Sequence, residues 1–288
     1  MAEEILVYIG TYTRRGSEGV YVCRLDVESG ALDCTSTAPD VESPSFLDLH
    51  PSGRYLYTVN EVSEFSGKKS GGVSAFAIDE KTGRLSLLNQ RSSEGTGPCH
   101  ISVDRTGRYA LVANYGSGSV AILPVHEDGR LGEATDAVQH QGSSVNPQRQ
   151  EGPHAHSINA DPTNQYAFAA DLGLDKILIY RIDLEEGKLL PNDPPWIEVA
   201  PGAGPRHFAF HPSGRYAYLI TELANTFVAY SCDPGNGTLT EIQTVSTLPG
   251  DFDDTSYCAE VQVSPDGRFL YGSNRGHDSI AVSSIDEG

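Results

Sequence analysis

Residues 50–61 read HPSGRYLYTVNE: a tight turn, an apolar run, then an abrupt polar end. The same phrase returns at 104–115 (DRTGRYALVANY), 161–172 (DPTNQYAFAADL), 211–222 (HPSGRYAYLITE) and 264–275 (SPDGRFLYGSNR). Its bend falls at Gly53, Gly107, Asn164, Gly214 and Gly267, so successive copies lie 54, 57, 50 and 53 residues apart. Self-similarity at a period of about 50 residues marks one supersecondary unit repeated along the chain. The exception at Asn164 fits the reading. The bend needs a left-handed backbone, and Asn is the residue that best replaces Gly there.

Around each bend the apolar residues alternate. Four and six places before it stand Leu49/Leu47, Val103/Ile101, Ala160/Ile158, Phe210/Phe208 and Val263/Val261, separated by Asp48, Ser102, Asn159, Ala209 and Gln262. Period two is the signature of a half-buried strand, not a helix. The run after the bend is a second strand. A third and fourth, joined by an acidic, Gly-containing turn, follow within 75–88, 121–134, 179–192 and from 229 onward. Four antiparallel strands per unit at this spacing point to an all-β propeller.

Full units cover 44–95, 97–146, 155–200 and 204–248, with three strands before them (5–11, 19–26, 31–37) and a unit begun near Tyr257 after them. A single propeller domain over 1–288 is expected, in which 5–37 belong to the closing blade and 257–288 form a partial last blade. A bare sheet edge is a liability, so ring closure then calls for a further C-terminal portion, on the order of 60–80 residues.

Composition narrows the partners. There are 39 acidic residues against 20 basic ones, a net charge of −19. Such a field disfavours nucleic acid and anionic membrane surfaces. An anionic ligand therefore needs a local pocket of cations. Five cysteines (Cys23, Cys34, Cys99, Cys232, Cys258) are scattered, with no CxxC, no zinc spacing and no disulfide framework. The first ten residues carry neither a basic n-region nor a long apolar stretch. A cytoplasmic protein is expected.

The start of the first strand and the end of the second meet at one end of each hairpin. Eight places before the bends stand Ser45, Cys99, His156, Arg206 and Ala259. Seven and eight places after them stand Asn60/Glu61, Asn114/Tyr115, Asp171/Leu172, Thr221/Glu222 and Asn274/Arg275. In a propeller these residues ring one mouth of the central channel. A connection without strand pattern, 138–157 (VQHQGSSVNPQRQEGPHAHS), hangs over the same mouth, and long loops of this kind are usually functional or disordered. The candidate catalytic residues are His156, His154, Arg206, Glu222 and Arg275. The candidate substrate-binding residues are Arg149, Gln150, Asn114, Glu61 and Asn274. Each has a plainer reading: the two histidines as loop caps, Arg206 with Glu222 as a bracing ion pair, Arg275 as a solvated loop residue. His207 reads as packing between blades. There is no GxSxG elbow, no HExxH and no phosphate loop, so neither a metal nor a cofactor is expected.

Four stretches, ILVYIGTYT (5–13), QEGPHAHS (150–157), GAGPRHFAFHPSGRYAY (202–218) and SPDGRFLYGSNRGHDSI (264–280), together with Glu222, carry a resemblance that runs the length of the chain. It resembles the lactonase family of seven-bladed β-propellers, which contains the cycloisomerase-2-type 6-phosphogluconolactonases and a fungal carboxymuconate-lactonizing enzyme. The resemblance implies seven four-stranded antiparallel blades and a metal-independent site of His156 (His154 as second choice), Arg206, Glu222 and Arg275. It also implies hydrolysis of a small anionic lactone, 6-phosphogluconolactone to 6-phosphogluconate in the pentose phosphate pathway. Such hydrolysis needs a base to activate water and a cation to hold the developing oxyanion. Two readings stay open beside it: a muconate-type cycloisomerase that forms lactones, and a non-enzymatic propeller binding a protein or peptide on the channel face.

Overall fold

Each bend closes as its residue type requires. Gly53, Gly107, Gly214 and Gly267 have φ between 69° and 75°, and Asn164 takes φ 62° in their place. The computed structural model describes residues 4–286; the outermost residues of the expected domain, 1–3 and 287–288, lie outside them.

Twenty-two strands form six antiparallel sheets among these residues. The first holds β1 (Glu4–Ile9), β2 (Val20–Asp26) and β3 (Leu32–Ala38). The second holds β4 (Leu47–Leu49), β5 (Tyr55–Asn60), β6 (Gly72–Ile78) and β7 (Leu85–Ser92). In the third are β8 (Pro98–Val103), β9 (Tyr109–Asn114), β10 (Ser119–Pro124) and β11 (Asp136–Gln139). The fourth comprises β12 (Ala155–Ala160), β13 (Tyr166–Asp171), β14 (Lys176–Asp183) and β15 (Lys188–Glu198). The fifth comprises β16 (Pro205–Phe210), β17 (Tyr216–Thr221), β18 (Thr226–Asp233) and β19 (Thr238–Ser246). The sixth is β20 (Tyr257–Val263), β21 (Phe269–Arg275) and β22 (Ser279–Ser284).

Two expectations are corrected. The all-β class and propeller blades stand, but the seven-bladed arrangement of four-stranded blades does not: among the described residues there are six blades, four of four strands and two of three. At about 50 residues per blade, 288 residues fill about six units. β1–β3 and β20–β22 each make a sheet of their own. The cysteines also hold a disulfide that their spacing concealed. Cys23 and Cys34 face each other across β2 and β3 and are bonded; Cys99, Cys232 and Cys258 lie outside the disulfide. Their link is cross-strand, so only the pairing register reveals it.

The chain divides into two compact units, Met1–Gly116 with Ala121–Ala137, and Ser117–Val120 with Val138–Gly288. In the first unit, Val20, Ala38, Val41, Leu56 and Phe76 join the first two sheets. A second cluster there, including Tyr57, Val73, Ile101 and Val112, joins the second and third. In the second unit, Phe168, Phe208 and Phe210 stack with ring centroids 5.1–5.7 Å apart between the fourth and fifth sheets. Ile220, Phe227, Val261 and Leu270 do the same between the fifth and sixth. Burying one such side chain contributes about 1.5–3 kcal/mol.

The repeated phrase also joins neighbouring blades. Ser213 N–H donates to His211 Nδ1 (3.1 Å), so the ring proton sits on Nε2, which donates to the Gly267 carbonyl of the next bend (2.9 Å). His50 repeats this within the first unit, reaching the Gly107 carbonyl at 3.0 Å. Where the phrase begins with Asp161, its carboxylate instead accepts the N–H groups of Thr163, Gln165 and Tyr166 in its own bend.

Candidate active site

The second unit gathers three guanidinium groups on one buried carboxylate. Glu222, just past the end of β17, is 4% exposed. Its Oε1 accepts Arg149 Nη2 at 2.6 Å; its Oε2 accepts Arg206 Nε at 2.9 Å and lies 2.8 Å from Arg275 Nη2. His156 Nε2 stands 3.7 Å from the same Oε2. Burial pushes the Glu222 carboxyl up, and the hydrogen bond from Arg149 with the charges of the three arginines more than reverses this, holding it below the usual carboxylate range. Glu222 is therefore ionised and saturated with donors. It organises cations and is a poor proton acceptor.

Each partner arrives from a different place. Arg206 and His156 sit at β-bulges: Pro205 pairs with Thr221 and His207 with Ile220, leaving Arg206 as the extra residue, and His156 is extra between Ala155 and Ser157. A bulge turns one side chain out of the alternation and re-aims it. β12, β16 and β20 run as neighbours, so the re-aimed residues meet. Arg275 ends β21, its Nη2 also donating to the Cys258 carbonyl at 2.9 Å. Arg149 comes from the long connection, where the Asn146 side chain accepts the Gln148 and Arg149 N–H groups and Ser144 N–H donates to the Gln150 carbonyl. Arg149 also lies over the Tyr257 ring at 5.8 Å, a cation–π contact.

The other candidates hold loops. Gln150 is fully buried; its Nε2 donates to the Leu172 carbonyl and its Oε1 accepts the Asn146 N–H. His154 donates through its N–H to Asp171 at 2.8 Å and stands 3.5 Å from Glu151. Asn274 donates to the Thr247 carbonyl, and in the first unit Asn114 donates to Ser93 and Asn60 to Glu42, in each case the loop leading into that blade. Asp171 makes the same clamp with reversed polarity. Glu61, also in the first unit, accepts hydrogen bonds from Tyr12 and Ser45. The residue seven places after a bend is thus a loop clamp in four of the five repeats, and Thr221 instead bonds Thr226 within its own hairpin.

One participant was read only as packing between blades, and another was not singled out at all. His207 and Glu260 continue the site beyond Arg206: Arg206 Nη1 donates to His207 Nε2 (3.2 Å), and His207 Nδ1 meets Glu260 Oε2 at 2.7 Å. The ring of His207 stands edge-on to that of His156, centroids 5.3 Å apart. Burial pushes the imidazolium of His207 below the ordinary histidine range, outweighing the Glu260 charge that favours it. Both residues occupy the position seven before their bends, one repeat apart, which marks them as equivalent once neighbouring first strands are known to pack together.

Comparison with known proteins agrees with the all-β propeller class, though not with the blade number. A family model described as "Lactonase, 7-bladed beta-propeller" matches residues 6–288. The chain belongs to that family. Among its lactonase relatives, a 6-phosphogluconolactonase of Bacillus subtilis is 41% identical over 97% of this chain and 77% of its own length. A 6-phosphogluconolactonase of Formosa agariphila is 34% identical over 98% and 79%. The solved structure of the Pseudomonas aeruginosa periplasmic gluconolactonase superimposes with a TM-score of 0.92 at 37% identity, covering 99% of this chain and 80% of that one.

Proposed function

We propose that the chain is a lactone hydrolase that opens 6-phosphogluconolactone to 6-phosphogluconate, with the Glu222 cluster as its active site. Relatives named 6-phosphogluconolactonase at 34–41% identity support the reaction class. The observation that carries the site is charge. Arg149, Arg206 and Arg275 outnumber Glu222 and Glu260, a local excess of positive charge in a chain of net charge −19. That is the local cationic pocket an anionic substrate needs.

In the mechanism, His156 takes a proton from water as its oxygen attacks the lactone carbonyl. Arg206 holds the oxygen as it becomes negative. Its Nε and Nη1 are engaged by Glu222 and His207, which leaves Nη2 to donate. The tetrahedral intermediate then expels the ring oxygen, which takes the proton back from His156. General base assistance contributes roughly 10²–10⁴-fold. Arg275, whose side chain is 51% exposed, and Arg149 face solvent enough to grip the phosphate in bidentate fashion.

The test is ring opening, above the spontaneous rate, of a panel of phosphorylated lactones, plain lactones and muconates, with and without chelator. Preferential opening of the phosphorylated sugar lactone, unchanged by chelator, is expected. Turnover of muconate alone would assign the lactone-forming reading, and no turnover would leave the binding propeller.

No helix among the described residues is long and apolar enough to cross a membrane. The proposed compartment is the cytoplasm, supported by three cysteines that form no disulfide; the Cys23–Cys34 bond argues for oxidising surroundings. Alkylation in intact cells followed by mass spectrometry decides: three modified cysteines, with Cys23 and Cys34 bonded as in the structure, would place the protein in oxidising surroundings, and five would place it in a reducing cytoplasm with that bond open.

A further inference from the structure

We infer that His207 and Glu260 are positioning residues that fix the Arg206 guanidinium, so that its remaining Nη2 faces the reacting carbonyl. This rests on the assignment of Arg206 as the oxyanion donor.

The hydrogen-bond directions are forced. A guanidinium only donates, so His207 Nε2, 3.2 Å from Arg206 Nη1, must be the bare nitrogen of a neutral ring. The proton then sits on Nδ1 and donates to Glu260 Oε2 at 2.7 Å. Glu260 is held in turn: its N–H donates to Ser273 Oγ (2.9 Å), and its Oε1 accepts Gln262 Nε2 (2.8 Å). The series Glu260–His207–Arg206–Glu222 thus alternates acceptor and donor without conflict. It grips the guanidinium on two edges, Nε against Glu222 and Nη1 against His207.

The grip matters because Arg206 competes with two other arginines for one carboxylate. Glu222 alone defines a hinge about Nε, and the second contact stops rotation about it. His207 is 4% exposed, so water is poorly placed to substitute. Loss of either partner lets the donor swing. A misplacement of about 1 Å at a reacting centre costs roughly 10²-fold in rate.

The experiment has an arm that does not depend on turnover. Nitrogen-15 long-range NMR of the wild-type protein reads the His207 tautomer directly. A protonated Nδ1 with a bare Nε2 is expected, and a protonated Nε2 overturns the inference. The second arm compares His207→Leu, His207→Gln and Glu260→Ala on the lactone the wild type prefers. Leu should lower kcat about 10²-fold with KM within about twofold. Gln, which both accepts and donates, should restore most of the loss. Glu260→Ala removes a partly exposed side chain, so it should fold even where His207→Leu does not, and it should lower kcat about tenfold. Unchanged kcat per folded molecule in His207→Leu and Glu260→Ala overturns the inference. Where wild type opens no lactone, the functional reading fails and the tautomer alone judges the positioning.

Discussion

Glu222 meets three arginines, and their hydrogen bonds and charges, set against burial, fix its titration. With its pKa depressed, its contribution to stability is fully present above the ordinary carboxylate value near 4.3 and is lost as pH falls through the folded value. Melting temperature followed from pH 7 to pH 3 should therefore drop more steeply in wild type than in Glu222→Gln, which lacks that proton uptake. Parallel curves would show that Glu222 is not so perturbed. The roles of the arginines separate by kinetics. Arg149→Ala and Arg275→Ala should raise KM for a phosphorylated lactone about tenfold or more while changing a plain lactone little, because a charge-assisted bond is about twice a neutral one in strength. An equal effect on both substrates would move the phosphate elsewhere. Much of this cluster was legible in sequence: His156, Arg206, Glu222 and Arg275 stand at fixed offsets from their bends. Glu260 was not, because its partner His207 lies 53 residues away on another sheet.

At the scale of elements, the bend-and-strand phrase announced the hairpins and their register. It concealed the bulges, since an extra residue at His156 or Arg206 looks like one more step in the alternation. Only pairing shows that these side chains are re-aimed. The polar residue seven places after each bend misled for a related reason. Asn114 and Asn274, at or one short of the ends of their strands, donate to a loop carbonyl, and an amide that satisfies a buried carbonyl looks in sequence like one aimed at a ligand. The His at the head of the phrase has a measurable part in joining blades. His211→Ala leaves the Gly267 carbonyl without its donor and should cost about 1–3 kcal/mol. Chemical denaturation reads this as a lower midpoint at unchanged slope. An unaltered midpoint would refute the staple.

Over the whole molecule, period and strand count were the firmest readings of the sequence, and blade number was the weakest. Resemblance implied seven, whereas the described residues make six sheets. A repeat fixes what one unit is, and it does not fix how many are present. The charge of −19 frames the function: a uniformly acidic surface would repel an anionic lactone, and the cluster around Glu222 is the exception built into it. The most direct test is the rate of 6-phosphogluconolactone opening by wild type and Arg206→Ala, corrected for spontaneous hydrolysis and read beside the melting temperature. Loss of one oxyanion donor should reduce kcat per folded molecule by about 10²–10³-fold. Arg206→Ala turning over at the wild-type rate would contradict the site.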